Sequence, residues 1–196
     1  GSVIYHEIDE KLDTGKIIYR HNFTFPINKP IKEWIKIQIN EEKKGIRKFL
    51  DLIYSKKKLK GVKQPNKLPS YFPRINSKLN SFINFNWHGY YINRFINGFS
   101  EPYEGAQSFI NKQNVKIMKS RFIKKKFDIH PFTYGIIFDK SDQYFFVFVP
   151  EGYLKIEINN LNSKNKISIG DRIHTPFKYL DKSFSSRVFY NAVGLK

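Results

Sequence analysis

The sequence predicts a mixed α/β chain, with a β-hairpin and a long helix first and a small antiparallel β-rich part last. Three observations predict it. Triplets of β-branched and aromatic residues, Val3-Ile4-Tyr5 and Ile17-Ile18-Tyr19, flank an acidic turn at the start of the chain. Apolar residues then recur at helical spacing from Ile31 to about Tyr54. From Ala106 onward the pattern breaks into short β-type runs separated by turn residues.

Composition narrows the class. With 196 residues, 40% of them hydrophobic and 17% aromatic, the chain can bury a core as one large domain or two small ones. Cysteine is absent, which excludes disulfides and thiolate metal sites. No apolar run approaches membrane-spanning length and no signal peptide is visible, so a cytoplasmic setting without membrane contact is expected. There are 35 Lys+Arg against 17 Asp+Glu, and the net charge of +18 implies anionic company: nucleic acid, lipid headgroups or phosphorylated small molecules. Clusters such as Lys56-Lys57-Lys58 and Lys124-Lys125-Lys126 contribute to it. Asn and Ile are frequent too, so charge alone is a weak guide.

The opening stretch gathers His6, Asp9 and Asp13, and the mouth of an α/β sheet is where such folds collect their chemistry. In Asp13-Thr14-Gly15 the Asp can bond its own backbone and the Gly can take positive φ; read alone, this is a common hairpin turn. The second strand is expected to continue from Tyr19 to Phe25 and stop at Pro26. Asn28 and Pro30 announce the helix, with Trp34 as a core anchor and Gly45 as a weak point or a break. Residues 56–86 have little periodicity, and a loop that long is either functional or a linker. Within it, residues 64–74 read as a proline-rich connector or as an ordered loop presenting Tyr71, Phe72 and Arg74 to a ligand. The rings would offer flat faces and the guanidinium a fork for phosphate.

A helix is expected from Trp87 to about Phe99, with Tyr90, Ile92, Phe95 and Ile96 inward and a stop at Gly98 to Gly105. Tyr103 in that stop reads as a buried ring, or as one facing a base or phosphate. Strands are expected at Gln107–Ile110, Val115–Phe122, Tyr134–Phe138, Tyr144–Val149 and Tyr153–Ile158, and a short helix at Tyr179–Tyr190. His130 has Asp128 nearby but no second His, too little for a metal, and is assigned to setting a turn.

Several of these motifs carry a resemblance. His6-Glu7-Ile8-Asp9, then Leu12-Asp13-Thr14-Gly15 and Ile17-Ile18, resembles a signature of the formyltransferases that use N10-formyltetrahydrofolate. Gln64, Ser70-Tyr71-Phe72-Pro73-Arg74 and Asn80 to Trp87 resemble the segment seen in the nucleotide-sugar N-formyltransferases of that family. Phe85 stands where that family often has Trp, and Trp87 follows two positions on. Pro102-Tyr103-Glu104-Gly105-Ala106, His130-Pro131-Phe132 and Gly170-Asp171-Arg172-Ile173 are similar to later landmarks of the same enzymes.

The resemblance implies that residues 1–106 are the C-terminal part of a Rossmann-like formyltransferase domain with its acceptor-binding loop. Residues 107–196 would be a small β-rich C-terminal domain. It implies transfer of a formyl group from N10-formyltetrahydrofolate to the amine of an amino-deoxy sugar on thymidine diphosphate, for a surface polysaccharide such as O-antigen. Acyl transfer of this kind needs donors for a developing oxyanion and a relay for the amine proton. By resemblance Asp13 would orient a catalytic His and hold a water. Ile8, Asp9, Leu12 and Asp13 would line the pterin side. Tyr71, Phe72, Arg74, Trp87 and Tyr103 would shape the acceptor pocket. The family's Asn-x-His-x-Ser-x-Leu-Pro motif does not occur in these 196 residues, so the chain alone is expected to be catalytically incomplete, with dimerisation through the β-rich tail as an option. The alternatives are a basic nucleic-acid-binding module, or a formyltransferase acting on a UDP-sugar or tRNA.

Overall fold

The computed structural model describes residues 1–10, 14–27, 29–55, 59–64, 75–159 and 167–185. The chain divides into two compact units, Gly1–Tyr71 and Phe72–Lys196.

In unit 1, strands β1 (Ser2–His6) and β2 (Ile17–Asn22) pair antiparallel, Ser2 opposite Asn22 and Tyr5 opposite Tyr19. Helix α1 (Ile31–Tyr54) begins after Pro30, whose fixed φ suits a helix start, and Glu33 in its first turn meets the positive end of the helix dipole. Phe49 stacks on Tyr5 with ring centroids 4.5 Å apart, and the Glu41 carboxylate meets His21 Nε2 at 2.7 Å, so both side chains face the hairpin. Gly45 does not break the helix. It is buried against the hairpin, where a Cβ would lie 3.4 Å from Val3 Cγ1, an ordinary contact distance.

The second strand stops at Asn22 rather than Phe25. Phe23 exchanges two backbone bonds with Gly1, at 2.7 and 3.0 Å. Beyond it, Phe23 meets Phe25 edge-on, Phe25 stacks on Trp34, and Trp34 Nε1 donates to the Pro26 carbonyl at 2.8 Å. Trp34 therefore anchors the strap between strand and helix, half-buried rather than in a core. The hairpin strands are likewise half-exposed.

Unit 2 is built on a five-stranded antiparallel sheet in the order β3-β4-β7-β6-β5. Its strands are β3 (Ala106–Ile110), β4 (Gln113–Lys124), β5 (Ile137–Lys140), β6 (Phe145–Val149) and β7 (Gly152–Asn159). Asn111 and Lys112, both at positive φ, join β3 to β4 in a two-residue turn, shorter than the four-residue loop the sequence suggests. The strand expected from Tyr134 begins only at Ile137, because a 3-10 turn (Pro131–Thr133) and Gly135 at φ 87° come first. His130 Nδ1 accepts from the Phe132 amide at 3.1 Å and so caps that turn, the structural role the sequence assigns it. Arg172 and Ile173 bridge to Ile136 and Ile110, and so link the two edges of the sheet.

Helices α2 (Ser77–Asn80) and α3 (Gly89–Gly98) belong to this unit. Helix α3 starts at Gly89, two residues after Trp87, because the His88 ring caps it by accepting from the Tyr90 amide at 3.1 Å. A Cβ on Gly89 would overlap the Phe122 ring and Val149, so only glycine lets α3 approach this closely. Ile92 and Ile96 of α3 are fully buried with Ile83, Ile117, Ile137 and Leu154. That packing explains why the compact units divide at Tyr71/Phe72, whereas the sequence places its domain boundary at 106/107. Among buried polar groups, Thr175 Oγ1 donates to the Ile83 carbonyl at 2.6 Å, which leaves Ser108 Oγ to donate to Thr175 Oγ1 at 3.0 Å. The last described helix, α4 (Phe177–Ser185), starts two residues before the expected position. No described helix is long and apolar enough to cross a membrane.

Candidate functional site

In unit 1 three segments cross beneath the acidic turn. The Glu7 amide donates to the Lys16 carbonyl at 2.9 Å, and Ile17 and Val62 exchange two backbone bonds of 2.8 Å. Gln64 Nε2 donates to the Gly15 carbonyl at 2.9 Å. Gly15 is buried here, and a Cβ on it would overlap the Glu7 carbonyl, so the turn needs glycine for close approach. The backbone on either side of residues 11–13 is thus held by hydrogen bonds from two other segments.

Asp9 accepts from Thr14 Oγ1 at 2.6 Å, and His6 Nδ1 donates to the Glu7 carbonyl at 2.8 Å. Ile8 projects almost entirely into solvent. Leu12 and Asp13 lie outside the described residues, so the clamp is visible on either side of them. Gln64, which the resemblance places at the head of its motif but to which it assigns no role, ties the long loop to the turn through its amide.

In unit 2, Trp87 and Tyr103 stand at the ends of one aromatic run. Trp87 meets Phe95 edge-on at 5.2 Å, Phe95 meets Phe99 at 4.8 Å, and Phe99 meets Tyr103 at 6.5 Å. Helix α3 supplies Phe95, and Phe99, the residue that caps its C-terminal end, follows one turn on, so the helix end sets the span of the run. Trp87 packs against the core, whereas Tyr103 is 48% exposed. Next to it, Glu104 pairs with Lys116, whose hydrogen bond holds the Glu104 carboxyl below its usual pKa. Tyr71, Phe72 and Arg74 lie outside the described residues. Among the described residues no three His, Cys, Asp or Glu side chains cluster as a metal site would require.

Known proteins resemble the chain in sequence and in fold. Two similar solved structures are sugar enzymes. One is the N-formyltransferase from Helicobacter canadensis in complex with folinic acid and dTDP-3-aminofucose: 25% identity, TM-score 0.56, covering 80% of this chain and 55% of that one. The other is WlaRD, a sugar 3N-formyl transferase solved with dTDP and 5-N-formyl-THF: 28% identity, TM-score 0.55, covering 82% of this chain and 56% of that one. A HypX variant from Aquifex aeolicus shares the fold at 17% identity and TM-score 0.52, over 79% of this chain and 26% of that one. The chain thus spans little more than half the length of the two sugar enzymes. No match was found among the curated proteins. Residues 76–175, just over half of the chain, match the family model described as formyl transferase, C-terminal domain. These residues run from the start of α2 to the buried Thr175, nearly the whole of the described part of unit 2, and by them the protein belongs to the formyl transferase family.

Proposed function

We propose that this chain is the acceptor side of a sugar N-formyltransferase. The reaction moves a formyl group from N10-formyltetrahydrofolate to the amine of a dTDP-linked amino-deoxy sugar, in the cytoplasm, for a surface polysaccharide such as O-antigen. The observation that carries this reading is the likeness to two sugar N-formyltransferases solved with folate compounds and with dTDP or a dTDP-sugar.

When bound, the folate supplies the formyl group. The bond from its nitrogen to the formyl carbon breaks as the sugar nitrogen bonds that carbon, and the amine proton is passed on toward the departing folate nitrogen. The described residues fit one wall of such a site: the clamped turn holds Asp9 through Thr14, and Ile8 offers an exposed apolar edge beside it. Asp13, in that turn, orients the catalytic imidazole and a water, while Leu12 and the neighbouring backbone line the pterin side. Arg74 bonds the diphosphate, and Tyr71, Phe72 and the exposed Tyr103 shape the sugar and base pockets. Trp87 acts mainly by holding Phe95 and the aromatic run in place.

Nucleic-acid tracking draws its support from the charge of +18. Around the sheet, however, Lys155 lies over the Tyr144 ring at 3.8 Å and Lys125 over Phe127 at 5.1 Å, so cations already occupy ring faces that a base would need. The test is calorimetric titration of the chain with dTDP-3-aminofucose, UDP and a short DNA duplex. One-site binding of the dTDP-sugar, lost in Arg74→Ala, is expected. Binding of DNA alone, fading with salt, would overturn the reading.

A further inference from the structure

Helix α3 opens at a corner of unit 2 where one imidazole has both its nitrogens engaged. His88 Nδ1 accepts from the Tyr90 amide at 3.1 Å and so caps the helix. Its Nε2 donates at 2.9 Å to the carboxylate of Glu151, in the turn between β6 and β7. An acceptor at Nδ1 and a donor at Nε2 fit one form of the ring, the neutral tautomer with its proton on Nε2. The backbone joins the same two elements, since the Gly89 amide donates to the Pro150 carbonyl at 3.2 Å. Glu151 stands in the left-handed region, at φ 64°, and its carbonyl accepts from the Lys125 amide at 3.2 Å. The carboxylate is therefore presented to the ring from a turn that other bonds hold.

Three charged or titratable side chains face this ring among the described residues. Glu151 comes from the β6–β7 turn, Lys124 from the end of β4 at 3.8 Å from the same carboxylate, and Tyr91 from α3, its ring 5.8 Å from the imidazole. The Phe122 ring of β4 also meets the imidazole edge-on, at 5.8 Å. The hydrogen bond from His88 holds the Glu151 carboxyl below its usual pKa, so Glu151 keeps its charge into acid. A second proton on the ring then acts in opposite senses on its two partners. It strengthens the pair with Glu151, but it turns Nδ1 from an acceptor into a donor facing the Tyr90 N–H. It also sets a cation at the positive end of the α3 dipole. We infer that His88 is a proton-operated latch: neutral, it ties the start of α3 to the β6–β7 turn, and protonated, it stays with Glu151 and releases the helix end. Trp87 directly precedes the latch, so the release falls where the aromatic run enters the helix. His130 caps the Phe132 amide in the same way but has no ion pair among the described residues, so it lacks the second half of the device. The inference does not depend on the acceptor reading.

The test is nuclear magnetic resonance of the whole chain, titrated from neutral pH into acid. Ring nitrogen shifts of His88 should show the Nε2–H tautomer at neutral pH. As the ring takes its second proton, the protection factor of the Tyr90 amide, referred to intrinsic exchange at each pH, should fall about fivefold or more. That fall should track the titration of His88 itself, while the amides of β4 and β7 stay protected. His88→Asn keeps a capping oxygen and has no proton to gain, so Tyr90 should then stay protected throughout. His88→Ala should leave Tyr90 poorly protected even at neutral pH. An Nδ1–H tautomer, a Tyr90 amide indifferent to the titration of His88, or the same pH dependence in His88→Asn would each overturn the inference. So would a loss of protection that spreads equally through β4 and β7. If the variants do not fold, the tautomer and the exchange of the unaltered chain decide the matter by themselves.

Discussion

Every buried hydrophobic side chain among the described residues lies between Phe82 and Ile173, in unit 2. In the described part of unit 1 the buried residues are two glycines, Gly15 and Gly45. Both units have strands, helices and abundant aromatics, so composition does not separate them. Closure does. The unit 2 sheet is linked at its edges by Arg172 and Ile173 and filled by α3 from one side. Among the described residues unit 1 has two strands and one helix, with an exposed apolar flank on that helix, too little to bury an apolar interior. A closed part can hold a pocket wall rigid by itself, whereas an open part needs something laid against it.

Substitutions can sharpen or break this contrast. The largest effect is expected at Leu154, fully buried in β7: Leu154→Ala should cost about 2–5 kcal/mol in urea unfolding of unit 2. Thr175→Val should cost about 1–3 kcal/mol in the same measurement, because it leaves the Ile83 carbonyl and Ser108 hydroxyl without their partner.

The junction of hairpin and helix in unit 1 should respond to acid instead. Hydrogen bonds from Lys44 and from His21 hold the Glu41 carboxyl below its usual pKa. A lowered pKa means a contribution that is present above the ordinary carboxylate value of about 4.3 and lost as the pH falls through the lower folded value. Protection factors of the β2 amides, referred to intrinsic exchange at each pH, should therefore fall in acid, and Glu41→Gln should remove that dependence. The smallest effect is expected at Ile46, whose replacement by Ala should change stability by no more than about 0.5 kcal/mol, as befits an exposed site. A loss of several kcal/mol there would mean that the flank is covered.

Much of this architecture was legible in the sequence. Helix α1 runs from Ile31 to Tyr54 as its periodicity predicts, because a 24-residue apolar pattern outweighs a single glycine. The hairpin and the five strands of the sheet follow from alternation and turn residues. What was hidden depended on contacts distant in sequence. Periodicity at Ile39 and Ile46 cannot tell a buried stripe from an exposed one, and nothing local in Gly45 says that β1 will press against it. Gln64 sits 49 positions from the carbonyl it bonds, and its place in the motif does not say which carbonyl that is. In the candidate site, Asp13, Trp87 and Tyr103 were named one by one from motifs, but the ring-to-ring linkage from Trp87 through Phe95 and Phe99 to Tyr103 was not legible before α3 set its spacing.

Native-state hydrogen exchange on the whole chain, read segment by segment in rising denaturant, tests the contrast between the units most directly. The account predicts that amides of β4 and β7 open only with global unfolding of unit 2, while those of β1 and β2 open at a distinctly lower free energy. Equal opening energies in the hairpin and the sheet would contradict it, and would mean that the chain's first unit is closed by itself.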